Sequence, residues 1–179
     1  MKVSVIIPTL GDKNKEYLRT CVDSLRKTTD WDIIVVSNGS DTQPDYSDIK
    51  GITIHLHTRD QGQANAVNIG AQAVTPDTDY ILVSNDDMYY APAWNQNIDF
   101  RFDCFSPNLV EPTNNAGSAK PFLKVNGGFT LDEFDKDEVD LYVAERVNWA
   151  SPDPTLEIGF NLPFFIKKDV WDTIEGYDI

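Results

Sequence analysis

Basic residues are scarce in this chain. Lys and Arg together number 15 against 29 Asp and Glu, and the formal net charge is −14. Such a balance argues against a general affinity for nucleic-acid phosphates or anionic membranes. It leaves open a local anionic ligand bridged by a cation. Cysteine is almost absent: Cys21 and Cys104 make neither a disulfide framework nor a zinc set. Cys21 falls within an amphipathic helical pattern and reads as a small core residue. No apolar run approaches membrane-spanning length, and the opening MKVSVIIPTL is too short, and too soon broken by Pro8, for a signal peptide. The chain is therefore expected to be cytoplasmic. No GxGxxG follows the first apolar run, which speaks against a dinucleotide cofactor, and no GxxxxGK[ST] exists, which excludes a P-loop.

What is present is an alternation of apolar runs and amphipathic stretches. Val3 to Ile7 is β-branched and apolar, as in strands buried on both faces of a parallel sheet. Leu18, Val22 and Leu25 then recur at helical spacing, with Asp12 or Asn14 available as the cap. Asp32 to Val36 reads as a second buried strand, and Ile52 to Leu56 as a third. Gly62 precedes a helix carrying Ala64, Val67, Ala71 and Val74 on one face, ended by Pro76. Tyr80 to Val83 is the fourth strand. The order predicts an α/β fold, a mostly parallel central sheet with helices on both faces. Beyond about Phe100 the pattern is less regular. A short strand is expected within Asn108 to Pro112, an acidic helix within Leu131 to Arg146, a strand within Leu156 to Ile166 and a helix at Lys168 to Ile174. With 179 residues and no dividing linker, the chain reads as a single domain.

In an open α/β sheet, ligands sit beyond the carboxyl ends of the strands. Here those ends carry Pro8-Thr9, Asn38-Gly39-Ser40, His57 to Gln61 and Asn85-Asp86-Asp87. Two adjacent acids closing a buried strand repel unless a cation neutralises them. Mg²⁺ or Mn²⁺ commonly joins one or two carboxylates to substrate phosphates. Taken alone, however, turn and cap aspartates are commoner than metal ligands, and one of the pair is positioned to cap a helix starting near Pro92.

Four of these loops together resemble family 2 glycosyltransferases of the GT-A, Rossmann-like fold. The resemblance begins at VSVIIPTL, continues through DIIVVSNGSD and RDQGQANAVNIGAQAV, and reaches ILVSNDDMYYAPAW; LPFFIKKDVWDTIEGYD resembles the segment on the acceptor side. It covers most of the chain, weakly from Phe100 to Glu157. It implies transfer of a sugar from a nucleotide-diphosphate donor to an acceptor hydroxyl, with a divalent metal and inversion. The acceptor would be a saccharide or a lipid-linked molecule, with no nucleic-acid partner and no membrane span. Residues 1–100 would form the nucleotide-sugar half and 101–179 the acceptor half.

The resemblance also implies roles for residues. Pro8 and Thr9 would lie against the nucleoside. Asn38, with Ser40 beyond it, would sit near the base or ribose, with a left-handed turn before Gly39 as its plain alternative. Arg59 would touch the diphosphate. Gly62, Gln63 and Asn68 would border the site, small residues there allowing close approach to the nucleotide or to the sheet. The family's Asp-x-Asp motif falls on Ser84, Asn85 and Asp86, so its first acid is replaced by Ser84 and Asp87 is added. Asp86 is expected as the main metal ligand and Asp87 as a second ligand, a water-mediated one or a cap. Ser37 stands where the family often has an acid, which changes base recognition. Tyr89, Tyr90 and Trp94 offer either an apolar platform for a sugar ring or plain packing of the following segment against the core, the packing alternative being the stronger for Trp94 and equal for Tyr89.

The family's general base usually follows a segment like GYD, whereas this chain stops at Ile179. The expectation is a truncated chain with its base beyond that point. Glu157 and Asp178 are the acids within it that offer themselves instead. Two further readings compete. One is a nucleotide-sugar- or carbohydrate-binding domain without catalysis. The other is a nucleotidyltransferase, which PTLGDKNKEY, with a single glycine, supports poorly.

Overall fold

The computed structural model describes residues 1–59, 62–107, 110–112, 124–125, 127–128, 130–146 and 162–178. Its centre is a six-stranded sheet in the order β3-β2-β1-β4-β8-β5. These strands are β1 (Val3–Thr9), β2 (Asp32–Ser37), β3 (Ile54–His57), β4 (Tyr80–Val83), β5 (Cys104–Phe105) and β8 (Phe164–Lys167). β1 pairs in parallel with both β2 and β4, and β2 pairs in parallel with β3. β8 is antiparallel to its neighbours β4 and β5. A separate parallel pair joins β6 (Glu111–Pro112) to β7 (Lys124–Val125).

Side-chain alternation along the strands divides the core into two layers. Val3, Val5 and Ile7 meet Leu18, Cys21, Val22 and Leu25 of α1 (Lys15–Thr28) on one face. Ile6, Ile34 and Val36 meet Ala66, Val67 and Ala71 of α2 (Gly62–Gln72) on the other, where Trp171 of α4 (Lys168–Ile174) also packs. Gly70 explains how α2 approaches the sheet. A Cβ there would lie 2.5 Å from Ile6 Cγ2 and 3.1 Å from Val36 Cγ2.

The chain runs outward from β1 through β2 to β3, then returns to place β4 on the opposite side of β1. The topological switch point therefore lies between the carboxyl ends of β1 and β4. In such sheets the ligand crevice opens there.

Several expectations shift in detail. The third strand is Ile54–His57, two residues later than the apolar run suggested, because Thr53 is turned to the start of β2, its backbone N–H donating to the Ile33 carbonyl at 2.8 Å. The second helix ends at Gln72, before Pro76. Residues 92–97 form turns, so no helix near Pro92 needs a cap. The acidic stretch splits into a short 3₁₀ turn, Leu131–Glu133, and α3 (Lys136–Arg146). The late strand is Phe164–Lys167, while 156–161, Glu157 included, lie outside the described residues, as do 108–109 of the expected short strand. The final helix is Lys168–Ile174, as expected.

Candidate functional site

The acid pair follows β4 in a turn at the switch point. Asp86 is enclosed, with 8% of its surface exposed, while Asp87 reaches the surface. Desolvation first, and the neighbouring Asp86 charge second, push the Asp87 carboxyl above the ordinary range. Neither acid has an ion-pair partner among the described residues.

Asp86 instead accepts a hydrogen bond from Asn14, whose Nδ2 donates to Oδ2 at 2.9 Å. Asn14 ends a 3₁₀ turn, Gly11–Asn14, and stands at the N-cap position of α1, yet its side chain caps nothing. The cap expected from Asp12 or Asn14 is thus replaced by a bond that spans the switch point. Asn85 is held from the opposite side: Gln63 Nε2, on the first turn of α2, donates to Asn85 Oδ1 at 2.9 Å. The strand end is clasped by one carboxamide from each face of the sheet.

Ser84 is enclosed, with 0% exposure. Its hydroxyl accepts from the Tyr90 hydroxyl at 2.7 Å and donates to the Asn85 carbonyl at 2.9 Å. Ser84, expected in the place of the motif's first acid, therefore belongs to an interior hydrogen-bond chain. Cys21 joins it, Sγ donating to the Asn85 carbonyl at 3.6 Å, and burial pushes its thiol far up, so it is no nucleophile.

At the ends of β1 and β2, Pro8, Thr9 and Asn38 are all buried. Two of their polar atoms, Thr9 Oγ1 and Asn38 Oδ1, are enclosed without a hydrogen-bond partner among the described residues. The Tyr46 hydroxyl, close to Thr9, donates instead to the Gly11 carbonyl at 2.9 Å. Asn38 Nδ2 donates to the Gly62 carbonyl at 3.3 Å, which joins the β2 loop to the start of α2. The left-handed residue of this turn is Gly39, at φ 86°, and not Asn38. Ser40 Oγ donates to the Thr42 carbonyl at 2.7 Å, and Arg59 is exposed.

Asn68 is engaged elsewhere. Its Nδ2 donates to the Tyr177 carbonyl at 3.0 Å and its Oδ1 accepts from the Tyr177 N–H at 2.9 Å. It anchors the stretch after α4 to α2. Asp178 follows this anchor and is exposed. The proposed sugar platform dissolves into packing. Trp94 sits 4.6 Å from Tyr90 and 5.8 Å from Trp31, with Nε1 donating to Thr28 Oγ1 at 2.9 Å. Tyr89 donates to Asp140 Oδ1 of α3 at 2.7 Å and packs on Phe134.

Sequence reasoning missed two features. One is Asn14. The other is a polar cluster around Ser37, which uses the chain's 2 histidines. Ser37 Oγ lies 3.1 Å from His55 Nε2, 3.2 Å from His57 Nδ1 and 3.2 Å from the Leu56 carbonyl. Gln43 Nε2, a donor only, lies 3.3 Å from His55 Nδ1. With the amide in this orientation, that nitrogen accepts and the ring proton is assigned to Nε2, toward Ser37. His55 and His57 are two apart on β3 and share a face, a spacing visible in the sequence.

The donor set at the acid pair fits a hard cation. It consists of two carboxylates without counter-ions among the described residues, beside neutral carboxamides. No group of three or more His, Cys, Asp or Glu able to hold a metal occurs among the described residues. The phosphates of a ligand would therefore have to complete the coordination.

A crystal structure of S. aureus TarS 1-349 superimposes with a TM-score of 0.53 at 16% identity, covering 98% of this chain. The chain spans about half, 49%, of that structure's length. The likeness is one of fold. A second, in complex with UDP-GlcNAc, aligns over 50% of this chain and 27% of its own, at 20% identity and a TM-score of 0.37. No protein of curated function matches the sequence. The model of glycosyl transferase family 2 matches residues 4–98, which carry the first four strands, both carboxamides and the acid pair. With more than half its length so matched, this chain belongs to glycosyl transferase family 2.

Proposed function

We propose that this chain serves a glycosyltransferase that moves a sugar from a nucleotide-diphosphate donor to an acceptor hydroxyl. Residues 1–100 take the donor, and residues 101–179 face a saccharide or lipid-linked acceptor. The observation that carries the reading is Asp86: an enclosed carboxylate at the switch point, beside a second acid and without a counter-ion among the described residues.

Asp86 and Asp87 would hold Mg²⁺ or Mn²⁺ together with the donor's phosphates. When bound, the cation would supply neutralisation of the leaving diphosphate. The chain's own residues do the rest. Asn14 and Gln63 hold the β4 end in place, so that the carboxylates are preorganised. The unpaired atoms of Thr9 and Asn38 mark where the ends of β1 and β2 are incompletely satisfied, as a site awaiting a polar ligand would be. The acceptor oxygen bonds to the anomeric carbon from the face opposite the diphosphate, whose bond to that carbon breaks, and the configuration inverts. The acceptor's proton passes to a general base. Of the two acids this chain offers in that role, Asp178 is exposed just beyond the stretch anchored by Asn68, and Glu157 lies outside the described residues.

The test is turnover of a panel of nucleotide sugars with Mn²⁺ or Mg²⁺, with and without an added sugar acceptor. Cation-dependent release of nucleoside diphosphate is expected, falling by about 10²-fold or more in Asp86→Ala. Cation-dependent binding without turnover would favour a non-catalytic donor-binding domain. Neither binding nor turnover would overturn the reading.

A further inference from the structure

We infer that Asn14 is a positioning residue for Asp86, and that its carboxamide sets how strongly the end of β4 takes a divalent cation. The inference rests on the cation reading above. Four observations on the molecule carry it.

The first is what Asn14 forgoes. At an N-cap, a side-chain oxygen ordinarily accepts from the first turn of its helix, an interaction worth about 1 kcal/mol. Asn14 stands at that position and makes no such bond. Its amide reaches Asp86 instead, a residue 72 positions away in the chain.

The second is how the bond leaves Asp86. Oδ2 is held at 2.9 Å, and the carboxylate makes no other side-chain hydrogen bond among the described residues. One oxygen is fixed, and the other meets no side-chain donor among the described residues. Orientation of a ligating carboxylate by an outer partner is a general means of tuning metal affinity.

The third is that Asn14 is itself braced. The turn that carries it is tied to the β2–β3 loop by the Tyr46 hydroxyl, which donates to the Gly11 carbonyl at 2.9 Å. Lys15 Nζ donates to the Asp45 carbonyl at 2.7 Å. A positioning group must be rigid to position anything.

The fourth is charge. The flanking Lys15 is turned away and pairs with Asp48 at 2.9 Å. A lysine on Asp86 would neutralise it and compete with a cation. A neutral carboxamide orients the acid while leaving its charge intact.

The test is the affinity for Mn²⁺, measured by electron paramagnetic resonance of the free ion, alone and with UDP, GDP or ADP. The proteins compared are the wild type, Asn14→Ala, Asn14→Asp and Asp86→Ala. Asn14→Ala removes the orienting donor and should weaken Mn²⁺ about 10-fold or more. Asn14→Asp removes the same donor but brings a further acid to Asp86, so it should tighten Mn²⁺. A role in loop packing alone would move both variants the same way or neither. Opposite signs support the inference. Shifts of one sign, or none, overturn it, and the cation reading stands if Asp86→Ala abolishes binding. Mn²⁺ binding unchanged in Asp86→Ala overturns both.

Discussion

The Tyr90 hydroxyl donates to Ser84 Oγ at 2.7 Å, with both residues enclosed and Ser84 passing its own proton to the Asn85 carbonyl. This chain of bonds occupies the position, Ser84, where the resemblance would put the first acid of the motif. Burial holds the Tyr90 phenol far above the ordinary tyrosine range, so it remains a donor at any working pH. Serine satisfies that donor without bringing a charge inside. A carboxylate there would have to be desolvated beside Asp86. Ser84→Asp is therefore expected to lower stability by about 2 kcal/mol or more. Tyr90→Phe should cost about 1 kcal/mol, the net worth of one hydrogen bond. Urea unfolding measures both, and a Ser84→Asp protein as stable as the wild type would contradict this account of the substitution.

Gly70 provides a second prediction. Alanine is the better helix former by about 1 kcal/mol. Yet a Cβ at Gly70 would come within 2.5 Å of a methyl of Ile6, which is itself fully buried in the central strand. Overpacking of this kind costs about 1–3 kcal/mol. Gly70→Ala should thus be destabilising despite its propensity, and it should disturb the start of α2, where Gln63 and Gly62 meet the site. A gain in melting temperature would show that helix and sheet are less closely packed.

The His55 cluster makes stability depend on pH. Burial first, and the neighbouring His57 second, hold the His55 imidazole below its ordinary value. The unfolded chain then takes up the proton first as pH falls below about 6.5. The stabilisation is complete above that pH and is lost progressively as pH falls toward the folded value. A protonated ring would also turn an Nδ1–H toward the Gln43 amide donor. Melting temperature should fall between pH 6.5 and 5, and His55→Gln should flatten that slope. Parallel profiles for the two proteins would remove the cluster from the pH response.

The sheet was legible because its strands are apolar on both faces: Val3 to Ile7, Asp32 to Val36 and Tyr80 to Val83 appear nearly where expected. α1 was legible by its periodicity, with Leu18, Val22 and Leu25 all buried. Two of the three two-residue strands were not, since Cys104–Phe105 and Lys124–Val125 leave no pattern to read. At the site, the position of the acid pair at a strand end could be read from order alone. What the side chains do there could not. Asn14 before α1 and Asn68 within α2 are both asparagines, yet one reaches Asp86 and the other anchors Tyr177. Such pairings depend on contacts 72 and 109 residues apart, which no local spacing encodes. Trp94 packs on Trp31, Phe165 and Tyr90, which agrees with the core-packing alternative for it; its partners lie far away in the chain, so the sequence alone could not name them.

The central claim is that Asp86 joins a divalent cation to a nucleotide diphosphate, and calorimetric titration of UDP, GDP and ADP with and without Mn²⁺ tests it most directly. The account predicts that at least one of the three binds only with Mn²⁺, and that Asp86→Ala weakens this binding by about 10-fold or more. Binding of none of them, or equal cation-dependent binding by Asp86→Ala, would contradict it.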